Sequence, residues 1–336
     1  GFIVCWLPLV CAEVTITLKE LDCHFFASEA IPRTLIIHNN VANTQICQLV
    51  WTTSVMSAAV QQGKKEVVLA AQEKKEVDIV LAMPQAESRV TLEWHIIVSP
   101  QAEPPQKLSF SYEVFPRQSR TGVQGIFDKK RVGIYDPVGK IEGLFKQENI
   151  RYASIKNSLS LEAFQGDLLL IANNAVTDKN EPFFSVLMDK VYKGISVIFL
   201  EQEVMPAQSA FPVLLKGGSA TKTRCLAFGH PLFDNVRQGD LQNWRGDGVI
   251  TRSLLEKPHK GNFLVLAEAL DETGQDLKGA LILEIPHGKG RLLFSQFLIM
   301  QKFDSEPVAG ILFENMIHYA LRDIKAHDIV ALFVHE

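Results

Sequence analysis

The sequence lacks an excess of basic residues, a long apolar run and any closely spaced pair of cysteines. Its 34 lysines and arginines are outnumbered by 38 aspartates and glutamates, which gives a formal net charge of −4. A chain with that charge gives no electrostatic indication of nucleic-acid binding. No apolar run approaches the roughly 18 residues that a membrane-spanning helix needs. We therefore expect neither nucleic acid nor a membrane as a partner.

The cysteines and histidines show no pattern typical of a metal site. The five cysteines are Cys5, Cys11, Cys23, Cys47 and Cys225. They form no Cys-x-x-Cys pair, and an odd number leaves at least one thiol outside any intrachain disulfide. The histidines are isolated from one another in the sequence. The sequence therefore predicts no metal and no cofactor, and it leaves the redox compartment open.

Residues 1–12 are apolar and end in Val10–Ala12, a small-residue pattern like that at a signal-peptide cleavage site. No initiator methionine and no basic leading segment accompany it. The pattern favours a packed first strand, or the end of a preceding domain, over the remnant of a signal peptide. The signal-like feature still slightly favours a periplasmic or secreted location over the cytoplasm.

The chain of 336 residues is long enough for about two domains. From Glu13 to Phe115 the pattern is that of β-strands throughout. Val14, Ile16 and Leu18, for example, alternate with polar residues. About seven or eight such segments, separated by turn residues, predict an antiparallel sandwich of about 100 residues.

The stretch from Arg131 to Glu201 alternates short apolar runs with segments of helical periodicity. Strands are predicted at Arg131–Asp136, Arg151–Ile155, Asp167–Asn173 and Ile195–Leu200, and helices at Gly139–Asn149 and Glu181–Tyr192. Short buried strands separated by helices predict a parallel sheet covered on both faces. Polar residues at Pro116–Gly122 mark the boundary, so we assign residues 1–117 and 118–336 to two domains.

The remainder of the second domain returns to strands and ends in a helix. The strands are predicted at Arg224–Phe228, Val249–Leu254, Phe263–Ala267, Ala280–Ile285 and Arg291–Phe294. Pro286–Gly290 predicts a tight hairpin turn between the last two. The final helix is predicted to begin near Ser305, as its cap, and to end near Arg322.

Several stretches resemble parts of a known family. Glu29–Asn40 and Ser111–Pro116 resemble the immunoglobulin-like sandwich domains of the β-galactosidase-like (family two) glycoside hydrolases. His230–Asn235, Asp240–Asp247 and Gly288–Gln296 resemble the class I glutamine-amidotransferase-like domain that follows the sandwich in some of those enzymes. The resemblance extends from about Val14 to Arg322. It implies an immunoglobulin-like sandwich followed by a doubly wound, flavodoxin-like α/β domain.

The resemblance also implies where chemistry belongs. In that family the two catalytic glutamates lie on a (β/α)8 barrel, which is elsewhere or lost if this chain derives from such an enzyme. An active amidotransferase-like domain needs a cysteine at a sharp strand-to-helix elbow. The matching elbow here consists of Glu201, Gln202 and Glu203, without a cysteine. We therefore predict no catalytic residue in this chain.

The residues His230, Asp240, Trp244, Arg245 and Asp247 are the richest group in potential ligand contacts. A tryptophan beside an arginine and an aspartate can stack on a sugar ring, or lie at the centre of a protein interface. The structural alternative is that the polar residues hold their own loop while Trp244 packs beneath it. All three alternatives stay open at this point, with the structural one favoured.

The sequence thus predicts a non-catalytic accessory module of a glycoside hydrolase. Such a module would orient a catalytic barrel domain, mediate homo-oligomerisation or associate with carbohydrate. One alternative is a stand-alone carbohydrate-active hydrolase that uses loop carboxylates at the carboxyl ends of the strands. Another is a sugar-binding module with Trp244 as its stacking platform.

Overall fold

The computed structural model of the chain describes residues 13–101, 104–117, 127, 129–177, 181–205 and 213–322. The chain divides into two compact units, Gly1–Arg117 and Gln118–Glu336. Strands predominate over helices in the described residues, and two of the three sheets contain both parallel and antiparallel pairs. The apolar residues 1–12, with Cys5 and Cys11, lie outside the described residues. None of the helices in the described part combines the length and apolarity that a membrane crossing requires.

The first unit contains two sheets. Its strands are β1 (Val14–Leu18), β2 (His24–Phe26), β3 (Ala30–Asn39), β4 (Gln45–Val55), β5 (Ala58–Leu69), β6 (Lys74–Ala82), β7 (Val90–Pro100) and β8 (Gln106–Phe115). One sheet has the order β1–β3–β6 and the other β2–β8–β7–β4–β5. Neighbouring strands are antiparallel except β2 and β8, which run parallel. The prediction of a purely antiparallel unit is wrong at that pair, because strands far apart in sequence are not constrained by a hairpin.

Inward side chains of both sheets form one hydrophobic cluster in the first unit. Leu35 and Ile37 of β3, Leu49 of β4 and Trp94 of β7 are all fully buried within it. Leu35 and Ile37 are two residues apart in β3 and so point to the same face, because successive side chains of a strand point to opposite faces. Buried and more exposed residues alternate in the same way around Leu49 and Trp94. The alternation seen in the sequence is therefore the alternation between this core and solvent.

One charged group lies inside the first unit. Arg33 of β3 is 1% exposed, and its Nη1 lies 2.9 Å from Oδ1 of Asp22. Its guanidinium lies 4.6 Å from the ring centre of Phe25 and 5.1 Å from that of Tyr112. The ion pair and the two aromatic faces together offset the loss of hydration of the buried cation.

The second unit is built on a ten-stranded mixed sheet. Its strands are β9 (Val132–Tyr135), β10 (Ala153–Ser154), β11 (Leu168–Ile171), β12 (Ser196–Phe199), β13 (Leu215–Ala220), β14 (Thr223–Cys225), β15 (Thr251–Leu255), β16 (Leu264–Leu270), β17 (Leu277–His287) and β18 (Gly290–Ser295). Its helices are α1 (Lys140–Gln147), α2 (Ser158–Ala163), α3 (Glu181–Lys193), α4 (Ile299–Lys302) and α5 (Pro307–Ala320). The main path is β10–β9–β11–β12–β18–β17–β15–β13, and β16 and β14 continue from β17.

The parallel part of this sheet extends from β10 to β18, and every pair beyond β18 is antiparallel. The predicted parallel sheet is therefore one half of a mixed one. Every residue of β9, β11 and β12 is buried. Strands covered on both faces consist of continuous apolar runs, which is why the sequence revealed them.

Two local features differ from the sequence predictions. Helix α2 was not predicted, because it has six residues and a single buried side chain, Leu161. Its signal was the capping box formed by Asn157 and Ser160. Helix α5 begins after Glu306, whose side chain accepts from the amide of Val308, so the prediction of Ser305 as the cap is wrong. The hairpin turn between β17 and β18 is confirmed.

Candidate functional site

The carboxyl ends of the parallel strands are the first place to look for a site, because open α/β sheets bind ligands there. Asp136 follows β9 and occupies the amino end of α1. Its Oδ2 accepts from the amides of Ile141 at 2.7 Å and Glu142 at 3.1 Å, and its Oδ1 accepts from Gly139 at 2.8 Å. Amides that could hold a bound anion are thus satisfied by a carboxylate of the chain itself.

Gln202 follows the carboxyl end of β12, at the same edge of the sheet as Asp136. Its amide nitrogen donates to the carbonyls of Ala172 at 2.7 Å and Leu200 at 2.6 Å, and its Oε1 accepts from the amide of Val176 at 3.0 Å. Its own backbone amide donates to Oε1 of Gln296, which follows β18. The side chain of Gln202 therefore ties the ends of β11 and β12 together, and its backbone amide adds the end of β18. Both side-chain polar atoms of Gln202 already have partners within the chain.

Glu201 is a buried carboxyl at the elbow where the resemblance implies a nucleophile. It is 3% exposed, and neither carboxylate oxygen makes a hydrogen bond of ordinary geometry with a described residue. Burial raises its pKa to about 8, while nearby Lys140 and the amides of Met300 and Gln301 offset only part of that effect. A loop carboxylate is ordinarily solvated, and Glu201 instead lies in the interior. Glu201 is mostly protonated at neutral pH.

Glu203, the third residue of the elbow, is exposed, as expected for a loop carboxylate. Its Oε1 accepts from the side-chain amide of Asn174 at 3.1 Å, in the turn after β11. The elbow therefore presents a single carboxylate to solvent, while Glu201 and Gln202 face inward.

Trp244 and Asp240 are engaged in packing and hydrogen bonds within the protein. Trp244 has 0% exposure and stacks on Phe297 with ring centres 5.3 Å apart. Its indole nitrogen donates to the carbonyl of Asp240 at 2.9 Å, and the Asp240 carboxylate accepts from the amide of Arg237 at 2.8 Å. The buried indole offers no face to a sugar ring, which contradicts the stacking platform of the sugar-binding alternative.

Arg245 and Asp247 attach the same loop to α4 and α5. The backbone amide of Arg245 donates to Oε2 of Glu306, and its guanidinium donates to the carbonyl of Ser305 at 3.3 Å. Lys302 lies 2.6 Å from Oδ1 of Asp247 and donates to the carbonyl of Arg245 at 2.9 Å. Burial alone would raise the pKa of Asp247, but the hydrogen bond and charge of Lys302 hold it below its usual value. Arg245 and Asp247 therefore stabilise the conformation of their own loop.

His230 lies apart from that loop, beside α5. Its Nδ1 accepts from the amide of Leu232 at 3.3 Å, and its ring packs edge-on against Tyr319 with ring centres 4.4 Å apart. Burial and the positive charges of Arg291 and Arg322 lower its pKa to about 4. The imidazole is therefore neutral at physiological pH. The structure does not place it with Asp240, Trp244 or Asp247 as one constellation.

A buried polar cluster that sequence reasoning missed lies next to His230. Tyr319 donates to Oε2 of Glu284 at 2.7 Å, and Arg291 lies 3.4 Å from Oε1 of the same carboxylate. The Arg291 guanidinium also lies 4.5 Å from the Tyr319 ring centre. Burial raises the pKa of Glu284, and the hydrogen bond and charge offset part of that shift. Glu284 and Arg291 lie on the two strands of the predicted β17–β18 hairpin, so their proximity follows from the hairpin. No pattern in the sequence predicts that Tyr319 of α5 contacts either of them.

The remaining candidate nucleophiles and ligands are not arranged as a site. Cys225 is buried in β14, and burial raises the pKa of its thiol to about 11, which disfavours the reactive thiolate. In the described part of the chain, no group of three or more His, Cys, Asp or Glu side chains is placed to hold a metal ion.

No protein-family model matches the chain, and no curated protein matches it. The similar solved structures are partial and distant. E. coli α2-macroglobulin is 22% identical over 32% of this chain and 7% of its own, with a TM-score of 0.26. A β-glucosidase from Listeria innocua is 17% identical over 31% and 16%, with a TM-score of 0.23. Spo0M from Bacillus subtilis is 12% identical over 40% and 56%, with a TM-score of 0.25. Less than two thirds of each of these chains is covered, and such similarity assigns neither fold family nor function.

Proposed function

We propose that the chain is a non-catalytic accessory module of a carbohydrate-active protein, as its resemblance to the β-galactosidase-like glycoside hydrolases implies. Its proposed roles are to orient a catalytic domain and to mediate association between copies of the chain. The observation that carries the proposal is the elbow after β12. Glu201 stands where the resemblance implies a nucleophile; it is buried and has no thiol beside it among the described residues.

The surroundings of that elbow support the same proposal. Asp136 satisfies the amino end of α1, and Gln202 satisfies the ends of β11 and β12. A ligand at this edge would have to break these bonds first, and each bond left unmade inside a protein costs about 1–3 kcal/mol. The edge is therefore suited to rigidity rather than to substrate binding.

The finer fold assignment is part of the proposal. An immunoglobulin-like sandwich is supported by two sheets that share one core. A flavodoxin-like, amidotransferase-like domain is supported by the strand order, in which β9 lies between β10 and β11. That arrangement, with the first strand between the second and third, is the flavodoxin-like order.

The catalytic part of the proposal is tested by activity assays on the purified chain. We expect no hydrolysis of aryl glycosides or of glutamine above the blank. Hydrolysis by the chain that disappears in Glu201→Gln, but persists in the exposed-neighbour control Glu203→Gln, would overturn the proposal. It would establish the alternative of a hydrolase that uses a loop carboxylate, with Glu201 as its acid.

The assembly part is tested by mass-resolved size measurement over a concentration series. A stable dimer or trimer is the expected result for a module that mediates association. A chain that remains monomeric at all concentrations would remove the association role and leave domain orientation as the proposed function.

A further inference from the structure

A cavity of about 580 Å³ lies at the opposite edge of the parallel sheet, where β11 and β12 begin. It is within the size range of sites that bind small molecules. Its charged lining residues are Lys130, Asp167, Lys190, Lys193, Lys289 and Arg322. With five cations and one carboxylate, the lining carries a formal charge of +4, whereas the whole chain carries −4. The net charge of the chain therefore conceals a strongly positive concave surface.

The single carboxylate of this lining, Asp167, already has partners within the protein. Asp167 accepts from the backbone amide of Arg131 at 2.8 Å, and Lys130 lies 3.3 Å from its other oxygen. It therefore neutralises Lys130 at most. The other four cations of the lining have no acidic partner within the cavity.

The positive charge of those four side chains is only weakly compensated by their neighbours. Lys190 donates to the carbonyls of Glu162 at 2.6 Å and Phe164 at 2.9 Å, which fixes its position without cancelling its charge. Lys193 pairs with Asp189 at 2.5 Å, but both side chains are more than half exposed, and such pairs are weak. Arg322 lies 4.0 Å from Asp234, and exposed Lys289 makes no ion pair with a described residue.

A structural role for these cations accounts for only part of the charge. The carboxyl ends of α3 and α5 lie near this cavity, since α3 ends at Lys193 and α5 at Ala320. Each helix end is equivalent to about half a negative charge. The two ends together offset about one of the positive charges, so a large positive excess remains for a ligand.

The positive surface continues into a second cavity of about 820 Å³, which shares Lys130 with the first. Its lining adds Lys129, Arg131 and Arg151 and contains no acidic side chain. The aromatic residue that the two cavities share, Phe164, is buried, and half-buried Tyr152 of the second cavity packs against Phe145 with ring centres 6.0 Å apart. A single-stranded nucleic acid would need exposed aromatic rings on which bases stack. The geometry favours a compact anion.

We propose that the cavity at the start of β11 and β12 binds a small molecule that carries two or more phosphate or carboxylate groups. Four of its cations come from three different elements of the fold: α3, the β17–β18 turn and the end of α5. They are Lys190 and Lys193, Lys289, and Arg322 respectively. Several charge-assisted contacts to one ligand are stronger than any exposed pair that these side chains make now. The proposed site is on the other edge of the sheet from Glu201 and does not depend on the proposed accessory role.

Calorimetric titration of the full chain at low ionic strength tests the site, with inorganic pyrophosphate and citrate as separate probes. Pyrophosphate binding alone identifies a phosphate ligand, and citrate binding alone identifies a carboxylate ligand. We expect Lys289→Gln to weaken binding by about fivefold or more, and added salt to weaken it further. The matched control is Lys260→Gln, since Lys260 is exposed and lies outside both cavities.

Lys289 makes no ion pair with a described residue that its replacement would break, so the variant should unfold at the same temperature as the parent chain. Three results would overturn the proposal. The first is that neither probe binds. The second is that Lys260→Gln weakens binding as much as Lys289→Gln, which indicates diffuse attraction. The third is that a single-stranded oligonucleotide binds more tightly than both probes and depends equally on Lys289.

Discussion

Replacing Glu201 by glutamine should change how the stability of the protein depends on pH. The folded-state pKa of about 8 lies above the ordinary value of 4.5, so the folded protein holds this proton more tightly than the unfolded chain. Below about pH 4.5 both states are protonated, and burial of the carboxyl carries no ionisation cost. Between about 4.5 and 8 the unfolded chain ionises first, and stability falls as the pH rises. Glutamine has nearly the same shape and does not ionise.

The size of the effect follows from the shift. One pKa unit corresponds to about 1.4 kcal/mol, so a shift from 4.5 to about 8 corresponds to roughly 5 kcal/mol above pH 8 and about 3 kcal/mol at pH 7. The difference in free energy of unfolding between Glu201→Gln and the parent should therefore grow by several kcal/mol from pH 4 to pH 9. The amide of glutamine adds an offset at every pH, so the slope and not the absolute difference is the test.

The assay is urea unfolding followed by circular dichroism at a series of pH values, with the linear extrapolation applied at each. Other buried groups with raised pKa values, such as Glu284, titrate in both proteins and cancel in the difference. Glu203→Gln is the matched control, because Glu203 is the exposed carboxylate two residues away. Its stability difference from the parent should stay flat over the same range. A flat difference for Glu201→Gln as well would refute the buried, protonated carboxyl.

Four further substitutions, the last two compared with each other, test the packing. Trp244→Ala should lower the free energy of unfolding by about 3–5 kcal/mol in thermal or urea melts, because the indole is fully buried; a loss under about 1 kcal/mol would contradict the packed loop. Arg33→Met should lower the free energy of unfolding by about 3–5 kcal/mol in urea melts by leaving the Asp22 carboxylate without its ion pair, and a loss under about 1 kcal/mol would contradict that role. Gly290→Ala should cost about 1–3 kcal/mol, since the new methyl would meet backbone carbonyls, whereas Gly310→Ala in open space on α5 should stabilise by about 0.5–1 kcal/mol. Equal effects of the two glycine changes would contradict that account.

Local periodicity was enough to predict most elements of the second unit. β11 was predicted as Asp167–Asn173 and is Leu168–Ile171, and α3 was predicted as Glu181–Tyr192 and is Glu181–Lys193. These elements bury whole runs or one full helical stripe, so their pattern is visible in the sequence. Helix α2 was missed because six residues with one buried side chain produce no periodicity.

The candidate site was less predictable from sequence than the fold. The elbow residues were identified, yet the sequence did not distinguish buried Glu201 from exposed Glu203, two residues away. The loop around Trp244 was identified as the place of interest, but its contacts are made by Lys302 and Glu306, some 60 residues later. Contacts between such distant residues depend on the packing of α4 and α5, which no local pattern encodes.

The sequence by itself determined where most of the strands and helices form, because alternation and helical spacing arise from which faces avoid water. It also determined that the elbow has no thiol. Only the tertiary structure decided the protonation of Glu201, the burial of Trp244 and the convergence of Lys190, Lys289 and Arg322 on one cavity. Desolvation and electrostatic potential depend on all the groups around a site, and those groups come from distant parts of the chain.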